Sequence, residues 1–345
     1  MMGQKISLAA IRMDGAPAPT QSRLERAESL VAQAAAQAAQ IAVLPEVFNT
    51  GYEYHDRNYG LAEPPDGPSL RWMKAAARQH NLYLAGTLLL RDGPEIFNAM
   101  FLVAPDGRTW RYDKSYPWIW ERAYFRPRRH PIAPAETDFG KIGMLICWDV
   151  AHPKLWAAYA AKVDLMLVSS CPPLGHISPF TLPDGKSVLP RELGPLMKLV
   201  YRNSEKVFGE YMRRQAAWLG VPLVNTTGAG QFHSFLPRPR LSLSVLFMAR
   251  PDLWKHISQA RQVYIECGYF DETFIADKQG EIISRASLNG DNLTVSTVEL
   301  EQKSPSPGKE QPKIDLSPLT YAADALTNAL LVSYYQKNKA KRKAG

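Results

Sequence analysis

The sequence predicts an α/β protein whose mixed sheets pack as a layered sandwich, and three observations carry that prediction. A strand-helix-strand rhythm occurs near the start and again around residues 140–170, the pattern that builds parallel sheets. Hairpin patterns with Pro-Asp-Gly and Lys-Gln-Gly turns lie between and after these units, so antiparallel strands join the same sheets. The composition, 46% hydrophobic and 21% charged over 345 residues, supplies a substantial core and excludes a low-complexity or largely disordered chain.

In chain order, residues 5–11 read as a buried strand, 22–40 with the run AQAAAQAAQ as a helix, and 41–44 as a second strand. A helix at 68–80 leads to the strand 82–90, and 97–116 reads as two strands joined through Pro105, Asp106 and Gly107. After a loop rich in Trp, Pro and Arg, strand 140–147, helix 152–162 and strand 164–170 form the second unit. Residues 172–190, dense in Pro and Gly, read as a loop, 192–219 as one helix and 221–228 as a strand. The stretch 267–284 reads as a hairpin around Lys278-Gln279-Gly280, and 293–298 closes the series. A linker at 304–312 precedes an amphipathic helix at 319–335, with Ala322, Leu326, Leu330 and Tyr334 at helical spacing, and a basic tail. The expected organisation is one domain over 1–300, with long loops at 172–206 and 232–262, followed by linker, helix and tail over 301–345. Deleting 317–345 is expected to change oligomer size or surface binding more than chemistry.

Charge and cysteine usage narrow the function classes. The excess of 41 Lys+Arg over 33 Asp+Glu gives +8, yet a dense basic cluster sits in the terminal tail and no nucleic-acid motif accompanies it. The longest apolar runs, 82–90 and 241–249, fall short of the ~18–20 residues that cross a bilayer. The opening MMGQKISLAAIRMDG lacks the pattern of a secretory leader, and three cysteines without CxxC spacing argue against a disulfide framework or structural zinc. A cytoplasmic setting is the expectation.

Three chemically distinct groups each close an apolar strand: Glu46 after IAVLP, Lys114 after TWRYD, and Cys147 after KIGMLI. Strand ends are where α/β sheets place ligands. A cysteine attacking a carbonyl or nitrile carbon needs a base for its proton and a cation for the charge that develops on the substrate. Taken singly, Cys147 reads as a small buried hydrophobe and the other two as surface charges.

The blocks LPEVFNTGY, RYDKSYPWIWERAYFRP and GKIGMLICWDVAHPKLW, in that order and with 68 and 33 residues between their reactive groups, resemble the three signatures of the carbon-nitrogen hydrolase, or nitrilase, superfamily. The resemblance covers roughly residues 5–300. It implies an αββα sandwich that pairs into a dimer, with Cys147 as nucleophile and Glu46 as general base. Lys114, with the Trp148 backbone N–H, is implied to stabilise the tetrahedral intermediate, and Glu121 to orient substrate or water. A neighbouring lysine is expected to favour the Cys147 thiolate, and no metal or organic cofactor is implied. Asp149 after Cys147-Trp148 favours amide or carbamoyl substrates over nitriles.

Tyr52, Trp118, Trp120 and Trp148 are candidates for an apolar pocket, and His152 and His176 for polar substrate contacts. Cys171 and Cys267 read as structural. The long loops follow strand ends and suit a pocket rim; the second mixes basic and apolar residues, which suits a partner subunit better than a membrane surface. The sequence thus predicts a thiol-dependent hydrolase of a small-molecule C–N bond acting through a thioester, with nitrile hydrolysis or acyl transfer as alternatives. The expected partners are an amide, carbamoyl or nitrile substrate and further copies of the chain, with no nucleic acid. Glu46, Lys114, Cys147 and Glu121 together count against a purely structural module.

Overall fold

In this computed structural model residues 4–175, 177–301 and 304–341 are described. The first half runs β1 (Gln4–Asp14), α1 (Thr20–Ala36), β2 (Ile41–Val43), α2 (Asn58–Leu61), α3 (Pro68–Gln79), β3 (Tyr83–Asp92), β4 (Glu95–Val103), β5 (Thr109–Asp113), β6 (Ala135–Thr137), β7 (Gly140–Ile146), α4 (Pro153–Tyr159) and β8 (Leu165–Ser169). It continues through β9 (Phe180–Thr181), β10 (Ser187–Val188), α5 (Pro195–Val200), α6 (Met212–Leu219), β11 (Leu223–Thr226), β12 (Gly228–Ala229) and β13 (Gln231–Phe235). The last elements are α7 (Pro239–Leu246), β14 (Tyr264–Gly268), β15 (Phe274–Ala276), β16 (Ile282–Arg285), β17 (Asn292–Leu300) and α8 (Pro318–Asn338).

Side-chain alternation along β1 explains the layering. Ile6, Leu8 and Ala10 enter one core cluster, while Ala9, Ile11 and Met13 enter another, so both faces of the strand are buried. The second cluster lies under α1 and α3, which contribute Leu24, Val31, Leu70 and Met73. The first joins this sheet, ordered β12-β1-β2-β3-β4-β5 with β17 also on β1, to a second one ordered β16-β15-β11-β8-β7-β6. Trp156, Tyr159, Met212 and Leu219 from α4 and α6 close its far side. The result is four layers, αββα, with mixed sheets: β1, β2 and β3 pair in parallel, whereas β3, β4 and β5 run antiparallel.

Three expectations change. The single helix expected over 192–219 is broken: Gly194 (φ 109°) and Pro195 restart it at α5, Asn203 takes a left-handed φ of 58°, and a π-turn at Val207–Tyr211 leads into α6. Helix α6 stops at Gly220, whose φ of 76° suits a residue without a Cβ. The stretch 172–190 is not loop alone, because β9 and β10 join β14 and β13 in a small antiparallel sheet. The expected hairpin forms only over β15 and β16, since β14 pairs with β13.

The 301–345 region is laid across the body of the molecule. Trp218 donates to the Gly308 carbonyl, Gln215 to that of Pro312, and α8 packs on the short helix Ile119–Ala123. Among the described residues no helix is long and apolar enough to cross a membrane.

Candidate active site

Two strand directions converge on the site. Because β5 is antiparallel to β4 and β4 to β3, the C-terminal ends of β2 and β5 leave the same edge of the first sheet. They deliver Glu46 and Lys114, while β7 delivers Cys147 from the second sheet. Three residues around this point hold positive φ without being glycine: Val47 at 46°, Ile119 at 36° and Cys147 at 46°. Branched side chains are costly there, so packing must hold the turns in place.

Lys114 is fully buried between two buried carboxylates. Its ammonium donates to Glu46 Oε1 at 2.8 Å and to Glu121 Oε1 at 2.9 Å. Glu46 Oε1 also accepts from Asn98 at 2.7 Å, and its Oε2 from the Cys171 backbone N–H at 2.9 Å. Glu121 accepts from the Tyr52 hydroxyl at 2.7 Å and the Trp118 backbone N–H at 2.6 Å. Burial opposes charge on Lys114, but attraction to Cys147, Glu121 and Glu46 holds its pKa well above the ordinary range. Burial pushes Glu121 up to about 7, with Lys114 pulling it down and the Glu46 charge raising it.

The Cys147 thiol is pushed well above its ordinary pKa, first by burial and then by Glu46. Lys114 acts in the opposite direction, as expected, as does the Cys171 backbone N–H, but both are outweighed. The resting group is therefore the thiol, which needs a base. Cys147 lines a cavity with about 50 Å³ of open space, together with Tyr52, Trp118, Trp120 and Trp148. The sequence thus brings these pocket candidates together; His176 lies outside the described residues. His152 instead stacks face to face on Tyr116 at 3.5 Å, and burial, aided by Arg122, lowers it to about 3, so it stays neutral.

Several contributors escape the sequence reading. Asn98 is the one polar residue in the apolar run 96–103 of β4, a visible oddity whose partner Glu46 is not visible. Cys171, read as structural, supplies the backbone N–H that fixes Glu46. Asp149 ties two site segments together: its carboxylate accepts from the N–H groups of Ser115 and Tyr116, from that of Ile146, and from the Tyr112 hydroxyl. It joins the Cys147 turn to the residues following Lys114, and burial raises it to about 6. Tyr54, Tyr201, Phe232 and Phe270 complete the cavity from distant segments.

The terminal helix reaches both sides of this site. Asp324 pairs with Arg122 and accepts from the Ile119 backbone N–H at 3.2 Å, while Tyr321 donates to the Ala151 carbonyl at 2.7 Å. It therefore braces the turns carrying Glu121 and Cys147.

Comparison with known proteins gives this geometry a family. A nitrilase from Pyrococcus abyssi is 28% identical over 160 residues, covering 46% of this chain and 61% of that protein. An omega-amidase from Danio rerio is 30% identical over 162 residues, covering 42% and 56% respectively. The chain thus matches little more than half the length of these relatives. Among solved structures, an amidase from Nesterenkonia sp. superposes with a TM-score of 0.61 at 17% identity, over 84% of this chain and 92% of that one. A CN-hydrolase superfamily protein from Xanthomonas campestris does so with a TM-score of 0.61 at 14% identity, over 96% of both. At such identities the likeness speaks for the fold. The family model for carbon-nitrogen hydrolases matches residues 7–305, and with that span, this αββα fold and hydrolase relatives, the chain belongs to the carbon-nitrogen hydrolase family.

Proposed function

We propose that this chain is a thiol amidohydrolase, acting on the amide or carbamoyl group of a small molecule through a thioester on Cys147. The observation that carries the reading is the buried Lys114 ammonium held by Glu46 and Glu121 within electrostatic reach of the Cys147 thiol. Glu46 takes the thiol proton as sulfur attacks the carbonyl carbon, and Lys114 with the Trp148 backbone N–H stabilises the oxyanion. Collapse restores the C=O bond, breaks the C–N bond and releases ammonia carrying the proton from Glu46, leaving the thioester. Water, deprotonated by Glu46, then attacks the thioester, giving the carboxylic acid and restoring the thiol. Glu121 holds Lys114 and orients the substrate. In support, a glutamate-to-glutamine mutant of an amidase from Nesterenkonia sp. shows the Michael addition of acrylamide at its active-site cysteine, and that sulfur is therefore a nucleophile.

An ammonia-release screen over amides, N-carbamoyl compounds and nitriles tests the reading, with Cys147→Ala beside the wild type. Release from amides or carbamoyl compounds, abolished in a folded Cys147→Ala, is the expected result. Release from nitriles alone turns the assignment to a nitrilase, and release that survives the substitution removes the nucleophile. Self-association is part of the proposal, and sedimentation of the full chain tests it.

A further inference from the structure

Next to the Cys147 cavity lies a larger groove, with about 280 Å³ of open space, walled by α5, α7 and α8. The two are neighbours through shared walls: Ile119, Trp120, Val200 and Tyr201 line both. The cavity at Cys147, at about 50 Å³, has room for a reacting amide group and little more. Whatever else a larger substrate carries must leave that cavity, and the adjoining groove offers the space.

Its chemistry is uniform. Among the described residues lining it, none is an acid, a base or a histidine. Two of its polar side chains are occupied within their own segments, the Ser242 hydroxyl on the Pro237 carbonyl and the Thr327 hydroxyl on that of Ala323. Leu196 from α5 and Leu326 from α8 are about half exposed, at 48% and 56%, and Met248 beyond α7 at 60%, so the groove presents uncovered apolar surface. A contiguous apolar surface of this kind marks a binding site, and one beside a nucleophile suits the non-reacting part of a substrate.

We infer that the groove between α5, α7 and α8 is the substrate-tail subsite, and that the substrates are amides of linear aliphatic acids with the chain lying past Trp120 and Tyr201. This rests on the amidohydrolase reading above, since the amide group must lie at Cys147. Each buried methylene adds up to about fourfold in binding, the equivalent of ~0.8 kcal/mol, until the groove is filled.

The test uses linear primary amides from propionamide to dodecanamide on the full chain. Affinity is measured by calorimetry on Cys147→Ala, where no turnover intervenes, and ammonia release on the protein with Cys147 intact. Two groove variants from separate elements, Leu326→Arg and Val245→Trp, change exposed positions away from the reactive groups. Affinity and kcat/KM should rise with chain length, and both variants should flatten the rise at least tenfold for octanamide while leaving propionamide unchanged. Affinity independent of chain length, or a rise that neither variant alters, overturns the proposal. If the variants split a larger assembly, or abolish sedimentation with phosphatidylglycerol vesicles, while the chain-length dependence persists, the groove is a subunit or membrane face and the proposal falls. Groove-sensitive binding without ammonia release from any amide defeats the hydrolase reading and leaves the subsite standing. Turnover of short amides with flat binding does the reverse.

Discussion

Lys114 concentrates the electrostatics of the site: one ammonium faces two buried carboxylates beside a neutral thiol, so the cluster is one positive charge short when both carboxylates are ionised. Glu121 carries that shortage and keeps its proton up to about pH 7, where an unfolded glutamate releases it near 4.5. Between those values the folded state binds more protons, and stability falls as pH rises. Thermal melts from pH 4.5 to 7 should therefore show a smaller decline in Glu121→Gln than in the wild type; equal slopes would contradict the assignment. Glu46, Lys114 and Cys147, the residues proposed to react, stood out in the sequence because each ends an apolar strand within a distinctive block. Asn98 and the Cys171 backbone N–H were not, because their meaning depends on Glu46 approaching from elsewhere in the chain. Asp149 drew notice only through the substrate preference that the resemblance implies, not as the clamp between two segments.

At the scale of elements, legibility followed sequence distance. The strand-helix-strand units appeared where local periodicity placed them, with α1 ending a few residues early, at Ala36. The breaks between α5 and α6 were marked by Gly194-Pro195, yet apolar spacing continues through them and conceals the interruption. Strands β9 and β10 have two residues each and pair with one another, and β9 joins them to distant β14, a pairing that no local pattern reveals. The contact of α8 with Ile119–Ala123 is a second distant pairing, and it has an energetic signature. Removing one partner of a buried ion pair leaves the other unpaired, at about 3–5 kcal/mol. Asp324→Ala should lower the melting temperature by the equivalent and reduce turnover through Ile119 and Glu121. Replacing both, with Arg122→Met and Asp324→Leu, should recover much of the stability. A single variant that melts like the wild type would show that the pair contributes little.

The whole molecule places a buried double-sheet core beneath a site assembled from its strand ends and then braced from outside by the C-terminal helix. This alters one expectation drawn from sequence. Deleting 317–345 removes Tyr321, Asp324 and the buried Tyr335, whose hydroxyl donates to Glu95 and accepts from the Ile96 N–H, so turnover should fall along with stability. Kinetics and melting of the truncated chain check this, and unchanged turnover per folded molecule would restrict α8 to the surface. The proposed mechanism turns on which sulfur becomes acylated. Cys147, Cys171 and Cys267 are all buried free thiols with raised pKa values, and burial heads the causes for each. Of the three, Cys147 alone lines the cavity, and its charge interacts with Lys114. The most direct measurement is rapid-quench mass spectrometry with peptide mapping during turnover of a primary amide. An acyl adduct on the peptide containing Cys147, absent in Cys147→Ala, is the expected result; turnover with no cysteine adduct, or an adduct confined to Cys171 or Cys267, would contradict the mechanism.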